Sequence, residues 1–183
     1  MLYLVCDRET KAKILADIGR YLKWNRKIGA IRNPFIRLNY LLLSKPEFRS
    51  VFYFRTARHR ALTALSGLLL PGAEAVEICG EIGGGLFISH FHSVICPART
   101  GKNFRAGPGT AIYGGHNGPT FGDNVYVASN SAVIGDIHIG DNVIIGAGSV
   151  VKQDLPGNAV YVGNPVRFIK HIEENEKLLE EIR

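Results

Sequence analysis

Two of the six histidines in this 183-residue chain stand where an imidazole could take part in proton transfer. His90 follows Ile88 by two positions, and Ile88 belongs to a series of mostly apolar residues spaced six apart. His116 lies in a glycine-rich segment, Tyr113 to Thr120, whose backbone can make a sharp excursion. Because histidine has an unperturbed pKa of about 6.5, either side chain is suited to act as a general base at neutral pH.

The six-residue period indicates the fold that must position these histidines. It runs in two trains separated by a nine-residue interval: Ile82, Ile88, Val94, Thr100, Ala106 and Ile112, then Phe121, Val127, Val133, Ile139, Ile145 and Val151. A parallel β-helix has this period, since each hexad makes one short strand and one tight turn and three hexads complete a coil. The residue directly after each member of the two trains is often glycine or another small residue, which suits the turn. The sequence therefore predicts a mainly β protein, with the side chains of both trains pointing inward and the segment around His116 leaving the prism as a loop.

The first 73 residues have apolar side chains at helical spacing instead, which predicts three or four short helices. Asn33 before Pro34 is typical of a helix N-cap followed by proline at the first helical position. Ser44 with Glu47 three residues later has the pattern of a capping box at the start of another helix. In the tail, Ile172, Leu179 and Ile182 share a face, which predicts a short C-terminal helix. We therefore expect a basic α-helical region at 1–73, a β-helix domain at 74–170 and a C-terminal helix at 171–183.

Positive charge is concentrated in the predicted helices. Residues 1–73 contain 14 Lys+Arg and 4 Asp+Glu, a difference of +10, whereas the whole chain carries +6. Such a field would attract anionic lipid headgroups, a nucleic acid or a polyphosphate ligand alike, and most basic surfaces are merely solvated. We expect no nucleic-acid partner and leave open a peripheral position beside a membrane.

The cysteines and the apolar segments predict a cytoplasmic protein. Cys6, Cys79 and Cys96 form no C-x-x-C pair, and charged residues directly after Cys6 interrupt the short apolar start, so no signal peptide is expected. The longest stretch without Lys, Arg, Asp, Glu or His is the 13 residues from Ala61 to Ala73, well short of the ~20 that a membrane-spanning helix requires.

The hexads resemble those of the hexapeptide-repeat acyltransferases, and three segments resemble the serine acetyltransferase branch of that superfamily. These segments are Ile82-Gly-Gly-Gly-Leu-Phe-Ile-Ser-His90, Ile145-Gly-Ala-Gly-Ser-Val-Val-Lys-Gln-Asp-Leu-Pro156 and Gly163-Asn-Pro-Val-Arg167. The resemblance implies a left-handed parallel β-helix that packs as a homotrimer, with acetyl-CoA in the clefts between neighbouring prisms. It also implies transfer of the acetyl group to a hydroxyl of a small acceptor, without a metal.

In the resembling family, the histidine that matches His90 is the general base. The resemblance leaves His116 a supporting role at the oxyanion of thioester attack, but sugar acetyltransferases of the superfamily hold their base in a similar loop, so His116 is the alternative base. The acidic partner of the base is displaced, because Ala75 occupies the matching position. Either Glu77 or Glu74 could orient the imidazole, and either could equally be a plain surface acid.

Cofactor contacts are likewise implied by the resemblance. Ser129 and Ala147 are 18 residues apart and should lie one above the other on consecutive coils, where backbone groups can bind the pantetheine arm. Four residues match positions around the adenine and phosphate end, where cations suit phosphates: Lys152, Gln153, Arg167 and Lys170.

The chain differs from the serine acetyltransferases at the positions that would bind the acceptor. Those enzymes hold the amino group of serine with two acidic residues, and Asn33 and Ser89 occupy the matching positions here. Without these carboxylates, the charge-assisted hydrogen bonds that would select an amino acid are lost. The acceptor is therefore either L-serine or a sugar hydroxyl, for example in surface polysaccharide synthesis.

Two other classes of function remain to be separated from this one. A γ-carbonic-anhydrase-like zinc enzyme needs paired histidines five residues apart, and the positions five after His90 and His116 hold none. His92 is expected to point partly inward as a structural residue, and His138 to lie on the surface. A non-enzymatic scaffold would have no use for the positioned histidines, and titration with acetyl-CoA would distinguish it.

Overall fold

The computed structural model describes residues 2–23, 33–115 and 117–173. Its helices are α1 Leu2–Val5, α2 Arg8–Lys23, α3 Pro34–Ser44, α4 Pro46–Thr56 and α5 Arg60–Leu69. They lie where the sequence predicted a helical region. None of the helices in these described ranges has the length and apolar character needed to cross a membrane.

One predicted helix cap is present and the other is wrong. The side chain of Asn33 accepts hydrogen bonds from two amides in the first turn of α3, as expected of an N-cap. Ser44, predicted to begin the next helix, is instead the last residue of α3, and its hydroxyl donates to the carbonyl of Tyr40 at 2.7 Å. Helix α4 has Lys45 as its N-cap because Pro46 occupies the first helical position, which proline prefers.

Short strands follow the helices. They are β1 Val76–Ile78, β2 Glu81–Ile82, β3 Phe87–Ile88, β4 Ser93–Ile95, β5 Arg99–Thr100, β6 Arg105–Ala106, β7 Ala111–Tyr113, β8 Thr120–Phe121, β9 Tyr126–Val127, β10 Ala132–Ile134, β11 His138–Ile139, β12 Val143–Ile145, β13 Val150–Val151, β14 Ala159–Val162 and β15 Arg167–His171.

The strands form the three faces of a prism. The first face is β1-β4-β7-β10-β13, the second is β2-β5-β8-β11, and the third is β3-β6-β9-β12-β14-β15. Pairing is parallel except between β14 and β15. The turns between faces are named corners. The first corner joins the first face to the second, and the second corner joins the second face to the third. The third corner leads from the third face to the first face of the following coil. The parallel β-helix predicted from the six-residue period is confirmed.

The core of the prism is built from the inward residues of the two trains. Each of them is buried except Val94, and most of the aliphatic members have no exposed surface. Small residues at the following position are required sterically, since a Cβ on Gly83 would collide with the carbonyl of Gly101 on the next coil.

An asparagine ladder joins the second corners of successive coils. The φ angles of four asparagines lie between 55° and 59°: Asn103, Asn124, Asn142 and Asn158. Each side-chain amide donates to the next asparagine oxygen at 2.8 to 2.9 Å. Asparagine tolerates this left-handed conformation better than most residues, so the ladder fixes the turns without glycine.

The helices close the N-terminal end of the prism through a buried ion pair. Asp17 on α2 and Arg55 on α4 lie 2.9 Å apart, and their side chains are 1% and 4% exposed. Asp17 Oδ1 accepts hydrogen bonds from the amides of Gly85 and Leu86, and Arg55 donates to carbonyls of the same first coil. The pair therefore satisfies backbone groups that the first coil would otherwise leave unpaired.

The C-terminal end differs from its prediction. Residues 171–173 are not helical, because His171 ends strand β15, which turns back antiparallel to β14. Phe168 packs edge-on against Tyr161, and Ile172 is buried against Ile144. The rest of the predicted C-terminal helix lies outside the described residues.

Candidate active site

His90 lies at the third corner, directly after β3, and is exposed to solvent. Ile88, two residues earlier, is fully buried in the prism. The amide and the hydroxyl of Ser89 both donate to the carbonyl of Ala106 on the next coil, each at 3.1 Å. The backbone that leads into His90 is therefore held in place while the imidazole faces outward.

This corner is one residue longer than the hexad pattern predicts. Val94, predicted to point inward, is 38% exposed, whereas Ile95 is fully buried. The interval from Ile88 to Ile95 is therefore seven residues, and the interval from Ile95 to Thr100 is five. His92, predicted to point partly inward, is exposed and has φ of 59°, so that prediction is wrong too. The additional residue widens the turn that carries His90.

The third corner also carries two of the predicted cofactor positions. Register along the third face aligns Ile88, Ala106, Val127 and Ile145, so the residues two positions further form a column: His90, Pro108, Ser129 and Ala147. The carbonyl of Ser129 accepts a hydrogen bond from Gly148 N at 3.0 Å, as stacking of Ser129 and Ala147 requires. With strands ~4.8 Å apart, Ser129 lies about 10 Å and Ala147 about 14 Å from His90 along the prism axis. We call this set the third-corner column.

The surface beside the column is open enough to receive a ligand chain. Ala147 and Gly148 are exposed, and a Cβ added at Gly148 would meet no atom within 4 Å. Arg167 and Lys170 lie on β15, at the C-terminal end of the third face, and both are exposed. Lys152 and Gln153 are exposed as well, but they follow β13 at the first corner. The four predicted phosphate-end residues are thus divided between the third face and the first corner.

Glu77 is not joined to His90 in the structure. It lies on β1 in the first face, is exposed and pairs with Val94. Its Oε1 lies 4.0 Å from Cys96 Sγ, and within the described ranges no hydrogen bond links it to His90. Its role toward the base stays a prediction.

Cys79 and Cys96 form a disulfide between consecutive coils at the first corner. Their separation of 17 residues is close to the coil length, a signal that sequence analysis overlooked. Disulfides are typical of oxidising compartments. The cytoplasmic location therefore stays a prediction.

His116 lies outside the described residues, but both flanks of its loop are described. The loop leaves the prism at the first corner, after β7, and returns at β8. Asp136 Oδ1 accepts hydrogen bonds from the amides of Asn117 at 3.2 Å and Gly118 at 2.8 Å. Asp136 therefore anchors the returning side of the loop, a role that the sequence did not reveal.

The two predicted acceptor residues have structural bonds of their own. The side-chain oxygen of Asn33 is occupied by amides of α3, and the hydroxyl of Ser89 by the carbonyl of Ala106. Neither residue supplies a negative charge. In the described part of the chain, no group of three or more His, Cys, Asp or Glu residues is arranged to hold a metal ion.

A cleft of about 350 Å³, lined by Phe91, the residue after His90, was missed from the sequence. It lies between Phe91, Glu74 and the start of α4, and Arg49 also lines it. The Arg49 guanidinium donates to the carbonyls of Leu42 and Pro71. These bonds fix the wall of the cleft.

Comparison with known proteins supports the resemblance inferred from the hexads. Residues 118–153 match the family model for the bacterial transferase hexapeptide, six repeats. Serine acetyltransferase of Synechococcus elongatus is 34% identical over 149 residues, which are 70% of this chain and 59% of that protein. Galactoside O-acetyltransferase of Escherichia coli is 43% identical over 58 residues, which are 32% of this chain and 29% of that protein.

A solved structure shares the fold over nearly the whole chain. Serine acetyltransferase of Brucella abortus in complex with coenzyme A matches with a TM-score of 0.64 and 19% identity, covering 93% of this chain and 72% of that one. The curated relatives are longer, and this chain spans less than two thirds of either of them.

Proposed function

We propose that this chain, which carries the bacterial transferase hexapeptide repeat and resembles the serine acetyltransferases, transfers an acetyl group from acetyl-CoA to a hydroxyl of a small acceptor. The third-corner column is the observation that carries the proposal. It aligns an exposed imidazole with an open strip of backbone that leads toward the cationic end of the third face.

His90 is proposed as the general base. Its imidazole takes the proton of the acceptor hydroxyl as the oxygen attacks the thioester carbonyl. A C–O bond forms, the tetrahedral oxyanion collapses, the C–S bond breaks, and the imidazolium returns the proton to the departing thiolate. Turn amides, or the imidazole of His116, would stabilise the oxyanion.

A homotrimer is proposed because the two histidines belong to different corners. His90 is at the third corner, whereas the loop of His116 departs from the first corner of the same prism. These corners bound opposite edges of the first face. A neighbouring copy that presents its first corner to this third corner would bring the loop beside His90 and form a cleft for the donor.

The donor is proposed to lie along the column, with its phosphates toward Arg167 and Lys170. Guanidinium and ammonium groups are the usual partners of phosphate oxygens. In a trimer, Lys152 and Gln153, which lie at the first corner, would approach the same donor from the neighbouring copy.

The acceptor is proposed to be either a sugar hydroxyl or L-serine. The positions of Asn33 and Ser89 offer no carboxylate for an amino group, which favours a neutral sugar. The cleft of about 350 Å³ lined by Phe91, next to His90 in the chain, is large enough for a ligand of either size.

Titration calorimetry with acetyl-CoA tests the proposal directly. We expect saturable binding with one site per chain and, in a separate assay, thiol release that depends on an added sugar or L-serine. A scaffold protein would bind no acetyl-CoA, and that result would refute the proposed activity. A panel of nucleotide sugars, free sugars and L-serine identifies the acceptor.

Asp136 is expected to act as a positioning residue for the His116 loop. Replacing it with alanine removes the acceptor of two loop amides, so kcat should fall by about 10- to 100-fold with little change in KM for acetyl-CoA. Asp123→Ala is the matched control, because Asp123 Oδ1 likewise accepts a turn amide, that of Lys102, at the second corner. Equal losses of kcat in both variants would show a general loss of stability instead.

A further inference from the structure

Helix α5, Arg60–Leu69, packs Leu62 against the core of the helical region but leaves its other leucines exposed. None of its ten residues is buried. Leu65, Leu68 and Leu69 are 54%, 81% and 73% exposed. A helix of a soluble protein normally turns its apolar stripe toward the core, so α5 has a face without a partner in the described part of the chain.

The exposed leucines belong to a larger apolar surface. A groove of about 350 Å³ connects α1, α3 and α5, and its lining includes Leu4, Phe35, Leu69 and Leu70. Leu4 and Phe35 are 61% and 50% exposed. We call this set, together with Leu65 and Leu68, the helical apolar surface. Contiguous apolar surface of this kind marks an interaction site, whereas isolated exposed leucines do not.

The same region carries a large excess of positive charge, 14 Lys+Arg against 4 Asp+Glu in residues 1–73. The acids offset only part of it at the surface. Asp7 and Glu9 pair there with Arg58 and Lys13, whereas Asp17 and Glu47 are buried. Lys11 lies next to the helical apolar surface, where its Nζ donates to the carbonyl of Leu4 at 3.0 Å.

We propose that the helical apolar surface docks on a membrane that contains anionic lipids. Its leucines and Phe35 would enter the boundary between headgroups and acyl chains, while Lys11 and the other cations of the helical region attract the lipid phosphates. A second copy of the chain is a poorer occupant, since it would bring two strongly cationic surfaces face to face. The proposal is independent of acetyl transfer.

Vesicle flotation tests the docking. The full chain is expected to float with vesicles of phosphatidylglycerol and phosphatidylcholine, to stay in solution with pure phosphatidylcholine, and to be released by salt. Leu68→Glu should weaken binding to the anionic vesicles by about ten-fold or more. Ile169→Glu is the matched control, because Ile169 is 57% exposed on β15 at the other end of the prism, and its binding should equal that of the unchanged protein.

Circular dichroism melting of both variants checks that the fold is kept, which the exposure of both positions favours. Equal binding to anionic and neutral vesicles, no binding to either, or full binding by Leu68→Glu would each overturn the proposal. Light scattering measures the mass of the protein in solution and so tests for association between copies. A mass that falls on Leu68→Glu substitution, without any vesicle binding by the unchanged protein, would identify the surface as a contact between copies.

Discussion

Replacing His90 with glutamine is expected to lower the acetyl-transfer rate by about 10²- to 10⁴-fold, the usual contribution of a positioned general base. Glutamine keeps much of the size and hydrogen-bonding capacity of histidine but cannot take the proton of the acceptor hydroxyl. Because His90 is exposed at a corner, its loss should leave the prism intact. Affinity for acetyl-CoA should also be unchanged. Thiol release measures the rate, and calorimetry measures the affinity.

His138→Gln is the control for this substitution. His138 is also exposed on the β-helix, but it lies on β11 in the second face, with its Nδ1 3.0 Å from Thr120 Oγ1. The His138→Gln variant should therefore have the same acetyl-transfer rate as the unchanged protein. Near-normal turnover by His90→Gln would contradict the assignment, and a large loss in His116→Gln would then move the base to the loop.

Arg55→Gln is expected to destabilise the protein by about 3–5 kcal/mol, because breaking a buried ion pair leaves an uncompensated charge. The substitution strands the carboxylate of Asp17, which is 1% exposed, and also removes donors to the carbonyls of Ile82 and Gly83. Urea denaturation followed by circular dichroism measures the change in the free energy of unfolding.

Arg58→Gln provides the matched comparison. Arg58 also pairs with an aspartate, Asp7 at 2.8 Å, but its side chain is 73% exposed. Solvent screens this pair, so its loss should leave the denaturation midpoint nearly unchanged. If both substitutions shift the midpoint equally, Arg55 does not hold the helices on the first coil in the way proposed.

The fold could be predicted because an inward side chain at every sixth residue is typical of a parallel β-helix and of neither an α-helix nor an ordinary strand. The prediction failed where the neighbouring residue was equally suited to the core. Val94 and Ile95 are both β-branched and apolar, so residue type does not show which one enters the core, and a count by six selects Val94. The additional corner residue, His92 in a left-handed conformation, decides it. The prediction that Ser44 caps a helix failed because Pro46 prefers the first helical position, so the helix starts one residue later than predicted.

Part of the candidate site was within reach of the sequence. The offset of two residues from an inward position placed His90, Ser129 and Ala147 at the same kind of corner, and register then aligned them. Arg49 and Phe91 could not be found in this way. The cleft they line depends on how α4 packs beside the first coil, and no spacing in the chain encodes that contact.

The coil construction also limits how the molecule can change length. Val127 and Ile145 are 18 residues apart, and removing one such coil would keep all three faces aligned while shortening the prism by about 4.8 Å. A deletion that is not a multiple of one hexad would instead turn the later side chains away from their faces, unless a corner absorbs the difference as the corner after β3 and the loop after β7 do. The axial distance between His90 and the cations of β15 can therefore change only in steps of one coil, which would suit the proposed donor because its length is fixed.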